Sequence, residues 1–284
     1  MNMQDARVDR NEQAASPRPL ALITGASAGI GAEFARQLAA AGHDLALVAR
    51  RRERLEALGR ELAAGHGIDY VAIEADLAEP GAPAAAFDAA TAGGRTVDVL
   101  INNAGYAIAG HYHASAWEDQ ARFLKVMVDV VCELSHRALP GMHAAGAGRI
   151  VNVASLAGIA PGSAGHTLYA ASKAFLIKFS ESLAMESADF GVRVQALCPG
   201  FTYSEFHDVV GTRDIVSRLP RWMWMKADDV VAFSLEQLAD PRAPVMVVPG
   251  RANRLIAMLA RKLPYRTAFG LVARRSGDFR RQDQ

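Results

Sequence analysis

Apolar residues in this chain come in short dense runs, separated by longer stretches in which they recur every three or four positions. The runs are "LALITGAS" (20–27), "DLALVAR" (44–50), "YVAIEADL" (70–77), "VDVLINNAG" (97–105), "GRIVNVAS" (148–155), "VRVQALCPG" (192–200) and "PVMVVPG" (244–250). Each is apolar at nearly every position, which marks strands covered on both faces rather than strands with one wet side. Between them, "GAEFARQLAAAG" (31–42) and "RRERLEALGRELAAG" carry helical spacing and end in glycine. Seven strand candidates alternating with helices predict one doubly wound α/β domain over residues 20–250, with a mostly parallel seven-stranded sheet. Residues 1–19 are polar and aperiodic, with Pro17 and Pro19, and read as a flexible leader.

Composition narrows the class. With 51% hydrophobic and 21% charged residues in 284, the chain can bury a sizeable core. A net charge of +1 gives no overall field to gather nucleic acid. Cys132 and Cys198 lie in apolar surroundings without metal-ligand spacing and read as buried thiols of a reducing compartment. No charged start leads into an apolar run, and no run approaches the roughly 18 residues that span a bilayer. A soluble cytoplasmic protein is expected.

In a doubly wound sheet, ligands bind beyond the carboxyl ends of the strands. "TGASAGIG" (24–31), "NNAG" (102–105) and "CPG" (198–200) each sit at such an end. In the first, Gly25, Gly29 and Gly31, with Ser27 and Ile30 between them, permit a tight turn that brings a pyrophosphate to a helix N-terminus. The second strand runs out in "LVARRRER", with Arg50 and Arg51 and no acid before Glu53. Guanidinium groups suit a ribose 2′-phosphate, so the pattern selects NADP(H) over NAD(H); Arg52 reads as a solvated helix start. "LYAASKAF" sets Tyr169 and Lys173 four apart on one helix face. A neighbouring cation lowers a phenol's pKa and makes it a usable proton donor, whereas on a bare surface helix the pair would do nothing.

With "DL" at 76–77, "NVAS" at 152–155, "YAASK" at 169–173 and "PG" at 199–200 added in order, the chain resembles the short-chain dehydrogenase/reductase family over residues 20–250, and within it the bacterial NADP-preferring members. The resemblance implies a Rossmann-like fold and hydride exchange between a nicotinamide cofactor and a carbonyl or alcohol. It implies that Tyr169 gives or takes the proton, that Lys173 holds the nicotinamide ribose and lowers the tyrosine pKa, and that Ser155 holds the substrate oxygen. Asp76 and Leu77 would flank the adenine. Asn103, Ala104 and Gly105 would line the cofactor cleft, and Pro199, Gly200 and Thr202 would meet the nicotinamide end. Two departures stand out. Where many members carry an asparagine that supports a proton path to the lysine, this chain has Met127, with Asp129 two positions on. Ser155 and Tyr169 are fourteen positions apart, about one more than the family pattern.

The family places a lid after "CPG", here about residues 201–226, ending in "RWMWM". Trp222 and Trp224 there would line an apolar pocket for a lipophilic ketone or aldehyde, of keto-acyl, steroid-like or aryl type, or else pack only on the core. His111 and His113 read as a loop near the substrate mouth rather than a metal site; His166 would touch substrate or cap a turn. Residues 251–284 carry nine basic and two acidic residues in an amphipathic pattern broken at Pro264. That suits a membrane-surface helix or, preferred here, a helix covering a subunit surface. The family implies a homodimer or homotetramer joined through helices at 116–140 and 169–190. Two other readings remain at this point: a fatty or 3-ketoacyl reductase, and a non-catalytic NADP-binding regulator or scaffold, against which the retained Ser155, Tyr169 and Lys173 argue.

Overall fold

Runs apolar at nearly every position satisfy their backbones best by pairing inside a covered sheet. In the computed structural model of the chain, which describes residues 18–165, 167–203 and 220–275, they form strands β1 (Leu20–Thr24), β2 (Asp44–Ala49), β3 (Tyr70–Glu74), β4 (Val97–Asn102), β5 (Gly148–Val153), β6 (Val192–Leu197) and, late in the chain, β9 (Met246–Val247). Their order is β3-β2-β1-β4-β5-β6-β9, and every ladder is parallel. Strand order reverses between β1 and β4, so the crevice of the fold opens beyond Thr24 and Asn102.

The side-chain period of two sends alternate residues to opposite faces. Ile23, Leu47, Ile101 and Val151 pack with Phe34 and Leu38 of helix α1 (Gly29–Ala40), Leu55 of α2 (Arg52–His66) and Val231 of α7 (Ala227–Ala239). Leu22, Val48, Leu100 and Ile150 face the other way, onto Ala86 of α3 (Ala82–Ala90), Leu134 and Met142 of α5 (Val130–Ala145) and Leu183 of α6 (Thr167–Ser187). Each such fully buried leucine or isoleucine stabilises the fold by roughly 1.5–3 kcal/mol. Helix α4 (Trp117–Leu124) runs into α5 through a π-helical turn, Lys125–Asp129.

Several expected boundaries move. β1 ends at Thr24 rather than Ser27, because Gly25 turns the chain at φ +67. The run at 244–250 yields only the two-residue β9. Helix α5 passes through Pro140 to Ala145 instead of stopping there; Ala138 and Met142, buried on either side, hold it against the sheet despite the lost hydrogen bond. In the lid region, β7 (Phe201–Tyr203) and β8 (Trp224–Lys226) form a separate parallel pair that the pattern did not announce. His166, residues 1–17 of the leader and 204–219 of the lid lie outside the described residues.

Candidate active site

The turn "TGASAGIG" is fastened to "NNAG" by side chains from both. Thr24 Oγ1 donates to the Ile101 carbonyl at 3.2 Å and accepts from the backbone N–H groups of Asn103 and Ala104, each at 3.0 Å. Asn103 Nδ2 returns bonds to the carbonyls of Thr24 (3.0 Å) and Gly25 (3.3 Å). The asparagine side chain is thus spent on holding the turn. A Cβ on Gly25 would sit 2.7 Å from Asn103 Nδ2, and one on Gly31 would collide with the Gly25 carbonyl, so both glycines are fixed by close approach. Helix α1 starts here with no side-chain cap from Ala28 and no acid in its first turn. Its orphan N–H groups and positive dipole end fit a pyrophosphate.

Arg51 donates to Ser27 Oγ at 2.9 and 3.2 Å, which sets its guanidinium against the glycine turn; Arg50 is exposed at the end of β2. Arg52 pairs along its own helix with Glu56 (3.3 Å), as its reading as a solvated helix start requires. Asp76 is bridged to Arg122 of α4 at 2.9 Å, and Arg122 also reaches Glu79 at 2.8 Å. Leu77, by contrast, is buried in the core beneath β2 and β4.

Ser155, Tyr169 and Lys173 come together at the carboxyl end of β5. Ser155 caps a short 3-10 turn, accepting from Ala157 N at 3.1 Å, and shares a hydrogen bond with the Tyr169 hydroxyl. Between them Gly165 takes φ +84, a turn that glycine permits. Gly158 lets this turn lie on α6, since a Cβ there would meet the Lys173 backbone at 2.6 Å. Lys173 Nζ donates to the Val153 carbonyl at 2.6 Å and lies 5.7 Å from the Tyr169 ring centroid. Burial raises the Tyr169 pKa, opposed by the bond to Ser155. Burial also brings the Lys173 ammonium down to about 8, and the nearby Cys198 sulfur draws it up. The bond to Ser155 pulls the phenol pKa down against burial, while the Lys173 ammonium donates to a backbone carbonyl beside the ring. Cys198 is wholly buried and its thiol is pushed up to about 12, so it stays protonated.

Met127 faces inward and is buried, its sulfur pressed against Gly105, where a Cβ would stand 2.9 Å away. Asp129 is exposed and pairs with Lys125 at 3.6 Å, so of the two it is Met127 that turns inward. Beside Tyr169 a small, mostly polar cleft is lined by His111, Tyr112, Gln120, Thr167 and Leu168. Phe123 meets Tyr106 edge-on at 5.4 Å. Trp224 stacks on Tyr203 at 4.8 Å across the β7–β8 pair, while Trp222 is exposed.

Two features went unread in the sequence. Asn102 donates to Asn152 Oδ1 (2.9 Å) and Ser135 Oγ (3.2 Å), and Asn152 donates to Ser180 Oγ (2.9 Å). This buried chain ties β4, β5, α5 and α6 beneath the site; its signal was an asparagine near the carboxyl end of each of two mostly apolar strands. Asn253 is buried against Gly200 and donates to the Pro249 carbonyl at 3.0 Å. One polar residue on the inner face of a basic helix was its only mark.

The family profile described as short chain dehydrogenase matches residues 19–214. The oxidoreductase UcpA of Escherichia coli (strain K12) is 37% identical over 181 residues, 64% of this chain and 68% of that protein. A very-long-chain 3-oxoacyl-CoA reductase of Anas platyrhynchos is 32% identical over 195 residues, 66% of this chain and 61% of that protein. Among solved structures, a short-chain dehydrogenase from Sphingobium yanoikuyae in complex with NADPH superposes with a TM-score of 0.76 at 33% identity, covering 87% of this chain and 96% of the other. Motif, fold and kinship agree: the chain belongs to the short-chain dehydrogenase family of oxidoreductases.

Proposed function

We propose that residues 20–250 form a catalytic unit that reduces the carbonyl of a lipophilic ketone or aldehyde with NADPH. The observation that carries this reading is the convergence of Ser155, Tyr169 and Lys173 at the cleft, on the side where strand order reverses. The N-terminus of α1 and the glycine turn would hold the pyrophosphate, Arg50 and Arg51 the 2′-phosphate, and Gly105, Pro199, Gly200 and Thr202 the nicotinamide end. Bound there, the nicotinamide supplies the hydride. Ser155 orients the carbonyl oxygen toward the Tyr169 hydroxyl, which donates its proton as charge develops on that oxygen. Lys173 remains mostly protonated at neutral pH, and its field stabilises the phenolate left behind. Burial raises the pKa of this phenol, so the protonated form that reduction needs is the one present at neutral pH.

Selection of NADPH is supported by the Arg51–Ser27 contact and by the NADPH in the Sphingobium relative. An apolar substrate is supported by the acyl substrate named for the Anas relative. That relative also favours a second reading, a 3-ketoacyl reductase, recognised by turnover of acyl thioesters. Trp117, Phe175 and Met185 are exposed on α4 and α6, which supports a homodimer or homotetramer through those helices. Among the described residues no helix is long and apolar enough to cross a membrane, and a cytoplasmic location fits the reading.

The test is oxidation of NADPH and NADH against a panel of ketones, aldehydes and acyl thioesters. NADPH and bulky apolar carbonyls should rank first. Replacing Arg50 and Arg51 together by alanine should raise the KM for NADPH by about 10–100-fold and leave that for NADH within about twofold. Equal losses with both cofactors would remove the 2′-phosphate assignment. NADPH binding without turnover of any member would point to the regulator instead. The pH profile follows from the two shifts: kcat/KM for reduction should fall as pH rises through about 8, where Lys173 loses its proton while Tyr169 keeps its own. A flat profile to pH 10 would mean that the lysine charge is not used.

A further inference from the structure

Helices α8 (Arg251–Lys262) and α9 (Tyr265–Arg275) contain seven arginine or lysine residues and no aspartate or glutamate, in a chain whose total charge is +1. Asn253 and Ala257 turn inward on α8, and Arg254 lies over the Phe233 ring at 5.9 Å. The opposite face presents Leu255, Met258 and Leu259, with Arg251 and Lys262 at helical spacing among them and also exposed. Across the break at Leu263–Pro264, α9 buries Ala268 and leaves Tyr265 and Phe269 stacked at 5.8 Å, 71% and 47% exposed. Leu271 is exposed as well. These large apolar side chains stand in water inside a strongly cationic surface.

We infer that α8 and α9 dock this protein, as a peripheral contact, on an anionic membrane surface. Charge and hydrophobicity have to be answered by the same partner. A second copy meeting this face across a two-fold axis would set Arg251 and Lys262 against like charges, which argues against the subunit contact that the sequence alone favoured. Nucleic acid would satisfy the cations and leave the leucines and aromatics unburied. An anionic leaflet offers negative headgroups for the guanidinium groups and an acyl boundary for the apolar side chains between them. The position supports the same conclusion. Asn253 anchors α8 against Gly200 and Met225, so the docking face adjoins the lid strands rather than the far end of the sheet. The inference stands apart from the chemistry assigned to Tyr169 and holds for any substrate.

Flotation of the full chain with phosphatidylcholine vesicles, with and without phosphatidylglycerol, tests this directly. Binding should be about 10-fold or more tighter to the anionic vesicles and should weaken as salt is raised. Leu255→Asp combined with Phe269→Asp should abolish flotation and leave melting temperature and reductase activity unchanged, because both side chains already face solvent. Absence of flotation with the wild-type chain overturns the inference. So does a smaller oligomer by light scattering in the double variant, which would make the face a subunit contact. Binding to duplex DNA that matches the vesicle affinity and survives the double variant would overturn it in favour of a polyanion site.

Discussion

Tyr169→Phe is expected to lower turnover by about 10²–10⁴-fold while the affinity for NADPH stays within about twofold. The variant keeps the ring, and with it the packing beside Lys173, and removes only the hydroxyl that Ser155 engages. The glycine turn and Arg51, proposed to hold the pyrophosphate and 2′-phosphate, are left intact by the change, so cofactor affinity should persist. Ser155→Ala is a poorer probe, because Ser155 Oγ also accepts from Ala157 N and the turn itself would loosen. Stopped-flow turnover beside fluorescence titration of NADPH separates the two quantities. A residual rate within tenfold of the wild type would deny Tyr169 the role of proton donor and leave the cluster without an acid.

Most of the sheet was legible because its strands are buried on both faces, and such strands announce themselves as unbroken apolar runs. The same property blurred their ends. "LALITGAS" continues past Thr24 with small residues that look like strand, and only the φ of Gly25 shows where the turn begins. The β7–β8 pair was hidden for a different reason: three-residue strands carry too little pattern to distinguish from loop. Helix α5 outruns the bound at Pro140 that the family implied, because packing at Ala138 and Met142 offsets the proline.

At the site, residue types were readable and their pairings were not. Asn103 was expected to line the cleft, and what the sequence did not show is that its side chain also braces the turn. The sequence left Met127 and Asp129 as rivals for one position; the π-helical turn at Lys125–Asp129 sends the methionine inward. Helix α8 shows the limit most clearly. Its amphipathic spacing says that two faces differ, and only the burial of Asn253 says which of them faces the protein.

Lys173→Met is expected to cost about 10²–10⁴-fold in turnover and yet to stabilise the fold near neutral pH. Lys173 is 6% exposed, and its pKa falls from an ordinary 10.5 to about 8 in the folded chain. Between those two values the unfolded chain holds a proton that the folded chain has released, so stability rises with pH across that window. Below about pH 8 the buried ammonium carries its full burden of roughly 3 kcal/mol, and above about 10.5 that burden is gone. Methionine fills a similar volume without charge, but it leaves the Val153 carbonyl without the 2.6 Å bond, which returns about 1–2 kcal/mol of the gain. The net should be a stabilisation of about 1–2 kcal/mol at pH 7, disappearing or changing sign by about pH 10. Melting curves of both proteins at the two pH values measure it. A variant that is less stable than the wild type at pH 7, with no trend in pH, would show that the ammonium reaches water and is not held against its preference. The expected crossing would show the opposite: that the fold tolerates a buried cation at a cost in stability because the phenol beside it needs one.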